Sequence, residues 1–152
     1  MRLAATGLIL FAALTTSGCS PRLSPPYRDY DVGESQPDVP LRQRLEQAAL
    51  EAGWNVRPSP LSPAVVSTEE RRVNEGFFST VDAALDLVPL DGGFVRIYVR
   101  GRKRSFLGGR SKVYALSSAL RREILGPVTA ALAERGLVAI DAPQERDEDA
   151  TE

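Results

Sequence analysis

The stretch FFSTVDAALDLVPLDGGFVRIYVRGR, residues 77–102, carries the most regular hydrophobic pattern in the chain. Over residues 77–88, and again over residues 94–102, apolar and polar side chains alternate, which is the period of a β-strand with one buried face. Residues 89–93, PLDGG, separate the two runs and are typical of a tight turn. The sequence therefore predicts an antiparallel hairpin at the centre of the fold.

The length of the loop sets which residues of the hairpin face each other. Both strands bury the same face only if the loop has an odd number of residues. A five-residue loop, 89–93, places Asp86 opposite Arg96, so that opposite charges meet on the outer face. A three-residue loop, 91–93, places Asp86 opposite Tyr98 instead. The sequence leaves both registers open.

Two helices are predicted on either side of the hairpin. The first spans residues 41–53, where Pro40 precedes the helix and Gly53 ends it. The second spans residues 112–135, with Ser111 as its N-cap and Gly136 as its stop. Pro127 lies inside the second helix and is expected to kink or split it, because proline removes a backbone hydrogen bond.

Short extended segments at residues 54–57, 64–72 and 137–140 complete the predicted elements. Strands in the middle of the chain with helices towards its ends indicate an α+β fold. We expect a two-layer sandwich, a mainly antiparallel sheet of four to five strands with both helices on one face. The other face of the sheet would be free.

The predicted domain covers residues 41–141 of the 152-residue chain. Residues 19–40 contain five prolines and are predicted to be a tether long enough to hold the domain clear of lipid headgroups. Tyr27 and Tyr30 are expected to be solvated parts of that tether; the alternatives are a position at the membrane interface or docking on the domain. Residues 142–152 are predicted to be a disordered acidic tail, because five acidic residues and one arginine accompany no large apolar side chain.

The composition excludes several classes of function. The chain has no histidine and one cysteine, which rules out an internal disulfide, a His/Cys zinc site and an imidazole-based triad. A net charge of −1 argues against nucleic-acid binding driven by bulk positive charge. We therefore expect no enzymatic activity, no catalytic residue, no metal and no cofactor.

The first 18 residues are predicted to be an export signal. Arg2 precedes an apolar run at residues 3–14, and small residues follow it. A helix of that length rises only about 18 Å, against about 30 Å for the hydrocarbon core of a bilayer. The segment is thus too short for an ordinary membrane span, and we expect it to be cleaved.

The residues Thr16-Ser17-Gly18-Cys19 resemble the lipobox of bacterial lipoproteins, although Thr16 stands where leucine is usual. The resemblance implies that cleavage occurs before Cys19 and that Cys19 is the site of lipid attachment. Several acyl chains on one terminus would give near-permanent membrane attachment. Ser20, following the cysteine, implies an outer-membrane location facing the periplasm in a Gram-negative host.

A run of basic residues is the strongest anomaly in the domain. Between positions 96 and 122 there are nine basic residues and no acidic one: Arg96, Arg100, Arg102, Lys103, Arg104, Arg110, Lys112, Arg121 and Arg122. Within this run the sequence places a loop between a strand and a helix, where free amides and a helix N-terminus attract anions. The candidate anion-binding residues are Arg100, Arg102, Arg104, Gly108, Gly109, Arg110, Ser111 and Lys112.

These observations favour a lipid-anchored, non-enzymatic protein of the bacterial envelope. Its partner would be an envelope protein or an anionic glycolipid bound through the arginine-rich face. An alternative is an accessory subunit of a transport or secretion complex that docks by adding a strand to a free sheet edge. A third, less favoured, hypothesis is an enzyme acting on cell-wall polymer.

Overall fold

A computed structural model of the chain describes residues 25–33, 38–75, 79–105 and 108–140. Within those ranges the chain forms eight strands and two helices, which confirms the predicted α+β class, although four to five strands was too low a count. The elements are β1 (Tyr27–Val32), α1 (Leu41–Glu51), β2 (Val56–Arg57), β3 (Val66–Thr68), β4 (Arg71–Asn74), β5 (Ser79–Leu90), β6 (Phe94–Ser105), β7 (Arg110–Lys112), α2 (Ser118–Ala133) and β8 (Leu137–Ala139).

One antiparallel sheet contains all eight described strands. Six of them follow one another in the order β2-β3-β5-β6-β1-β8, and the other two pair with the central strands, β4 with β5 and β7 with β6. The predicted hairpin, β5–β6, forms its spine, and each of these strands has 12 residues. Such long strands accept two partners on one side: β5 pairs with β3 and then β4, while β6 pairs with β1 and then β7. This is why the extended segment predicted at residues 64–72 is in fact two strands.

The hairpin turn has three residues. Leu90 faces Phe94 and Asp86 faces Tyr98, so the three-residue alternative is correct and the five-residue register is wrong. Gly92 and Gly93 both have positive φ, 84° and 83°, a conformation that glycine adopts without steric cost. Two consecutive glycines therefore allow the ladder to continue to the last residue before Asp91.

The tether prediction is wrong for residues 27–32, which form β1 between β6 and β8. Tyr30 is fully buried, and its hydroxyl lies 2.8 Å from Thr129 Oγ1 on α2. The prolines on either side of this short segment favoured the prediction of a tether, although the segment forms a packed strand. The predicted signal peptide, Cys19 and the predicted acidic tail lie outside the described residues.

The second helix begins at Ser118, six residues later than predicted. Its N-cap is Ser117, whose hydroxyl accepts a hydrogen bond from the Leu120 amide at 3.3 Å, so the prediction of Ser111 as N-cap is wrong. The predicted split at Pro127 does not occur, since α2 runs through that residue. Pro127 lies on the exposed side of the helix, where water can satisfy the carbonyl that loses its donor.

Both helices contact each other and cover one face of the sheet, as predicted. The core is formed by odd-numbered residues of the central hairpin and by apolar side chains of the helices: Val81, Ala83, Leu85, Leu87, Val95, Ile97, Val99, Leu45, Ala48, Leu120, Ile124, Val128 and Leu132. The even-numbered residues of β5 and β6 point to the other side. We call that side the outer face. Within the described ranges, no helix is long and apolar enough to cross a membrane.

Gly101 lies on β6 at a position where neighbouring side chains leave no room for a Cβ atom. A Cβ atom at this position would lie 3.0 Å from Val113 Cβ and 3.3 Å from Val81 Cγ1. We expect Gly101→Val to lower the free energy of unfolding by about 1–3 kcal/mol through overpacking, measured by denaturant unfolding. The control is Gly126→Ala, which meets nothing within 4 Å on α2 and should stabilise by about 0.5–1 kcal/mol. Equal stability of the Gly101→Val and wild-type proteins would contradict this packing.

Candidate anion-binding surface

The outer face of β6 is lined by charged and aromatic side chains because its odd-numbered residues are buried under the helices. Antiparallel pairing aligns these outer residues with those of neighbouring strands in rows across the sheet. One row runs from Arg72 through Asp82 and Arg102 to Lys112, across β4, β5, β6 and β7. The fold therefore gathers residues 40 positions apart in sequence onto one strip.

A second row lies beside the first and adds two more cations. Thr80 faces Arg104, and Arg104 faces Arg110. The two rows together present five positive side chains at one end of the outer face, which we call the basic cluster: Arg72, Arg102, Arg104, Arg110 and Lys112.

Asp82 is the single carboxylate within these two rows. It accepts from Arg72 Nε at 3.2 Å and lies 2.5 Å from Arg104 Nε. Burial acts to raise the pKa of Asp82, but hydrogen bonds from Arg72 and Arg104 and their positive charges outweigh burial and hold the pKa below its usual value of 3.8. One negative charge thus faces five positive ones, so the cluster keeps a net charge of +4 at neutral pH.

Three members of the basic cluster carry the unbalanced charge. Arg102, Arg110 and Lys112 are exposed, and none of them forms an ion pair with any residue in the described ranges. Exposed cations of this kind are free to meet phosphate or carboxylate groups of a partner. The structure therefore brings together Arg102, Arg104, Arg110 and Lys112 of the sequence candidates and adds Arg72, which sequence reasoning missed.

Arg100, another sequence candidate, lies next to the cluster but is already paired. Its Nε lies 2.5 Å from Asp86 Oδ2, and Asp86 also accepts from Ser67 Oγ at 2.7 Å. Asp86 is 5% exposed and Ser67 is fully buried, so this is a packed network within the sheet. We assign Arg100 a structural role.

Other members of the basic run point elsewhere. Arg96 donates two hydrogen bonds to Asp29 and lies 4.1 Å above the Tyr27 ring, and these hydrogen bonds to Asp29 raise the pKa of Arg96. Lys103 lies on the helix side of the sheet and pairs with Glu75 at 2.8 Å. Arg121 and Arg122 are on α2. The run of nine basic residues in the sequence therefore contains more positive charges than the structure brings together in the basic cluster.

The expected role of backbone amides is wrong. The chain after β6 returns to the sheet as β7, which pairs antiparallel with β6, and does not lead directly into a helix. The Gly108 amide donates to the Ser105 carbonyl at 2.9 Å, and the Gly109 amide donates to Ser105 Oγ at 3.1 Å. Ser111 pairs with Lys103 in the strand ladder. These amides are occupied, so anion binding here would have to come from side chains alone.

The opposite end of the outer face exposes several large apolar side chains beside the charged residues of β1. Leu90 and Phe94 at the hairpin turn, with Val138 and Ile140 at β8, are all more than one third exposed. Along β6, Phe94 is ten residues from Arg104, which at about 3.3 Å per residue separates the two ends by roughly 33 Å. The outer face thus has a basic end and an end with exposed apolar side chains, which we call the apolar end.

In the described ranges, no group of three or more His, Cys, Asp or Glu side chains is arranged to hold a metal ion. No protein-family model matches the chain, and no curated protein sequence matches it either.

The ion pairs of Asp82 predict how acid affects the fold. Because the pKa of Asp82 is lowered in the folded state, its contribution to stability is present above pH 3.8 and is lost as the pH falls through the lowered value. We expect Asp82→Asn to flatten the loss of stability below about pH 4 in thermal unfolding scans. Glu70→Gln, an exposed change outside the ion pairs, should leave the curve unchanged. Identical acid profiles for wild type and Asp82→Asn would disprove the assignment.

Proposed function

We propose that this protein is a lipid-anchored, non-enzymatic component of the bacterial envelope whose outer sheet face binds an anionic partner. The observation that carries the proposal is the basic cluster, in which five cations share two neighbouring rows of the outer face with one carboxylate, Asp82. Its support on the membrane side is the lipobox-like sequence ending at Cys19. The proposed location is the outer membrane, with the domain in the periplasm.

The chemistry of the partner follows from the cluster. Guanidinium groups in two parallel rows match phosphate or carboxylate groups spaced along a surface, and they need no single deep pocket. An anionic glycolipid or an acidic protein surface in the envelope supplies such groups. Binding of this kind is strongly weakened by salt, because exposed charges are screened over about 8 Å at physiological ionic strength.

The test compares two double variants that remove the same charge. Arg102→Gln with Lys112→Gln removes two cations that face each other across β6 and β7 within the cluster. Arg42→Gln with Arg122→Gln removes two exposed charges from the helix layer. We expect the cluster variant to bind lipopolysaccharide, the phosphate-bearing glycolipid used as probe, about 25-fold more weakly, at about five-fold per residue. The helix-layer variant should change binding by less than about three-fold.

The measurement is cosedimentation of the unacylated chain, with Cys19 replaced by alanine, at low and high salt. Circular dichroism of each variant confirms folding. Equal affinities for the two double variants, or binding that is insensitive to salt, would contradict the proposal that the basic cluster is the binding surface.

A second candidate function is docking through the edge of β8, as in the accessory-subunit alternative. The favouring observation is that Val138 is 64% exposed on a strand whose outer edge has no partner within the described part of the chain. The Gly136 carbonyl accepts from the Gly33 amide, just after β1, and the Ile140 amide donates to the Asp29 carbonyl. The backbone of Ala139, one residue out of that phase, therefore directs its amide to the open edge. Ala139→Pro should abolish salt-resistant complexes recovered by crosslinking in cells, and their persistence would remove this alternative.

A further inference from the structure

We infer that the basic cluster lies against the anionic headgroups of the same membrane leaflet that holds Cys19. This inference rests on the proposed function and names its partner as a phospholipid surface. It is carried by the position of β1, which joins the sheet next to the cluster, and by the short length of chain between β1 and Cys19.

The direction of β1 brings the anchor to the basic end of the sheet. The Val99 amide donates to the Pro26 carbonyl at 2.8 Å, just before β1 pairs with β6. Because the two strands are antiparallel, the chain preceding Pro26 leads in the direction in which β6 continues from Val99. Arg102 is three residues further along β6, about 10 Å at roughly 3.3 Å per residue.

The chain between the anchor and the sheet is short. Cys19 precedes Pro26 by seven residues, which span at most about 25 Å when fully extended. The tether predicted from sequence ran to residue 40 and would have kept the domain clear of the headgroups. With residues 27–32 built into the sheet, an acylated Cys19 holds Pro26 close to the bilayer.

The charges at this end of the sheet favour an anionic surface over other occupants. The basic cluster keeps a net charge of +4, and three of its cations are exposed and have no ion-pair partner among the residues that the structure describes. An anionic leaflet attracts basic residues only within about a screening length. An anchor that spans at most about 25 Å keeps the cluster near the leaflet and lets it come within that distance. The apolar end, roughly 33 Å away, stays available to a protein partner.

The two lysines of the chain provide a direct test. Lys112 belongs to the basic cluster, whereas Lys103 lies on the opposite face and pairs with Glu75. The probe is the chain from Cys19 onward, coupled through its only thiol to a maleimide lipid in vesicles. These vesicles contain phosphatidylcholine with or without phosphatidylglycerol. Modification by a water-soluble amine reagent is then read by mass spectrometry as the ratio of Lys112 to Lys103 labelling.

We expect the ratio of Lys112 labelling to Lys103 labelling to be about five-fold lower, or lower still, on anionic vesicles than on zwitterionic ones. About five-fold is the effect of one basic residue attracted to an anionic surface. The ratio should recover at about 1 M salt, where the screening length is about 3 Å. Arg102→Gln with Arg110→Gln should restore labelling at physiological salt, whereas Arg42→Gln with Arg122→Gln should not.

Equal ratios on both vesicle types would overturn the inference. Low labelling on both types would also overturn it, since it would indicate a cover other than headgroups, such as the acidic stretch 144–152 of the chain itself. The proposed function is tested separately, because lipopolysaccharide binding by the unacylated chain needs no anchor. If that binding depends on Arg102 and Lys112 while the anchored ratios stay equal, the proposed function stands and this inference fails.

Discussion

Tyr30→Ala should lower the free energy of unfolding by about 3–5 kcal/mol, the range measured when a large aromatic side chain is removed from a core. Tyr30 is fully buried between the sheet and α2, and its hydroxyl contacts Thr129. Truncation leaves a cavity and an unpaired threonine hydroxyl, and it loosens the strand that ties the N-terminal segment to the sheet. Denaturant unfolding of the chain from Cys19 onward measures the loss.

Two further variants separate burial from the hydrogen bond at this position. Tyr30→Phe keeps the ring and loses only the contact with Thr129, so we expect a cost of about 1 kcal/mol. Tyr27→Ala, on the outer face, should cost less than Tyr30→Ala because Tyr27 is only partly buried. The Tyr30 phenol also has a raised pKa, since burial disfavours its anion, so its stabilisation is lost as pH rises above 10. A Tyr30→Ala protein as stable as wild type would mean that residues 27–32 are tether after all.

Asp86→Ala should cost about 2–4 kcal/mol, because it removes a nearly buried carboxylate that accepts from two side chains on neighbouring strands. Asp86 accepts from Ser67 Oγ on β3, which is fully buried, and from Arg100 on β6. The Arg100 side chain is 41% exposed, so water can recover part of its interaction. For that reason we place the effect below that of a fully buried ion pair.

The matched variant is Asp86→Ala with Ser67→Ala and Arg100→Met, which removes all the partners together. We expect this triple variant to be more stable than Asp86→Ala alone, because no buried polar group is left unpaired. Thermal unfolding of both proteins gives the comparison. A triple variant that is less stable than the single one would show that the network contributes more than the satisfaction of its own groups.

The sequence predicted the fold best in the segments where a long hydrophobic alternation corresponds to strands with one buried face. Alternation over residues 77–102 predicted the central hairpin and its buried side, because only one phase of each strand is apolar. The same pattern could not choose the loop length, since both odd loops bury the same residues. The three-residue loop is favoured by Gly92 and Gly93, because both glycines adopt a positive φ in the turn.

Short strands were missed for a different physical reason. β1 and β7 gain their stability from pairing with β6, and β7 has no buried side chain at all. Nothing in three exposed polar residues marks a strand, so the sequence predicts a loop at Arg110, an N-cap at Ser111 and the start of a helix at Lys112. The usable signal in β1 was its two large aromatic side chains, Tyr27 and Tyr30.

The candidate site was predicted only in part because charge patterns carry no information on pairing. The basic run correctly contained four of the five cluster residues, but Arg72 belongs to β4 and joins them only through its register with Asp82. The run also included Arg96, Arg100 and Lys103, which the fold pairs with acids elsewhere in sequence. Topology, not composition, separates paired from unpaired charge.

The proposed envelope location depends on an acylated Cys19, since the basic cluster gains its position at a membrane from the anchor. The direct measurement is the intact mass of the protein purified in detergent from bacterial membranes, beside a Cys19→Ala control. We predict a chain that begins at Cys19 and carries acyl chains, with the control released into the soluble fraction or retaining residues 1–18. A wild-type mass with an unmodified cysteine, from protein that leaves the membrane without detergent, would contradict the account.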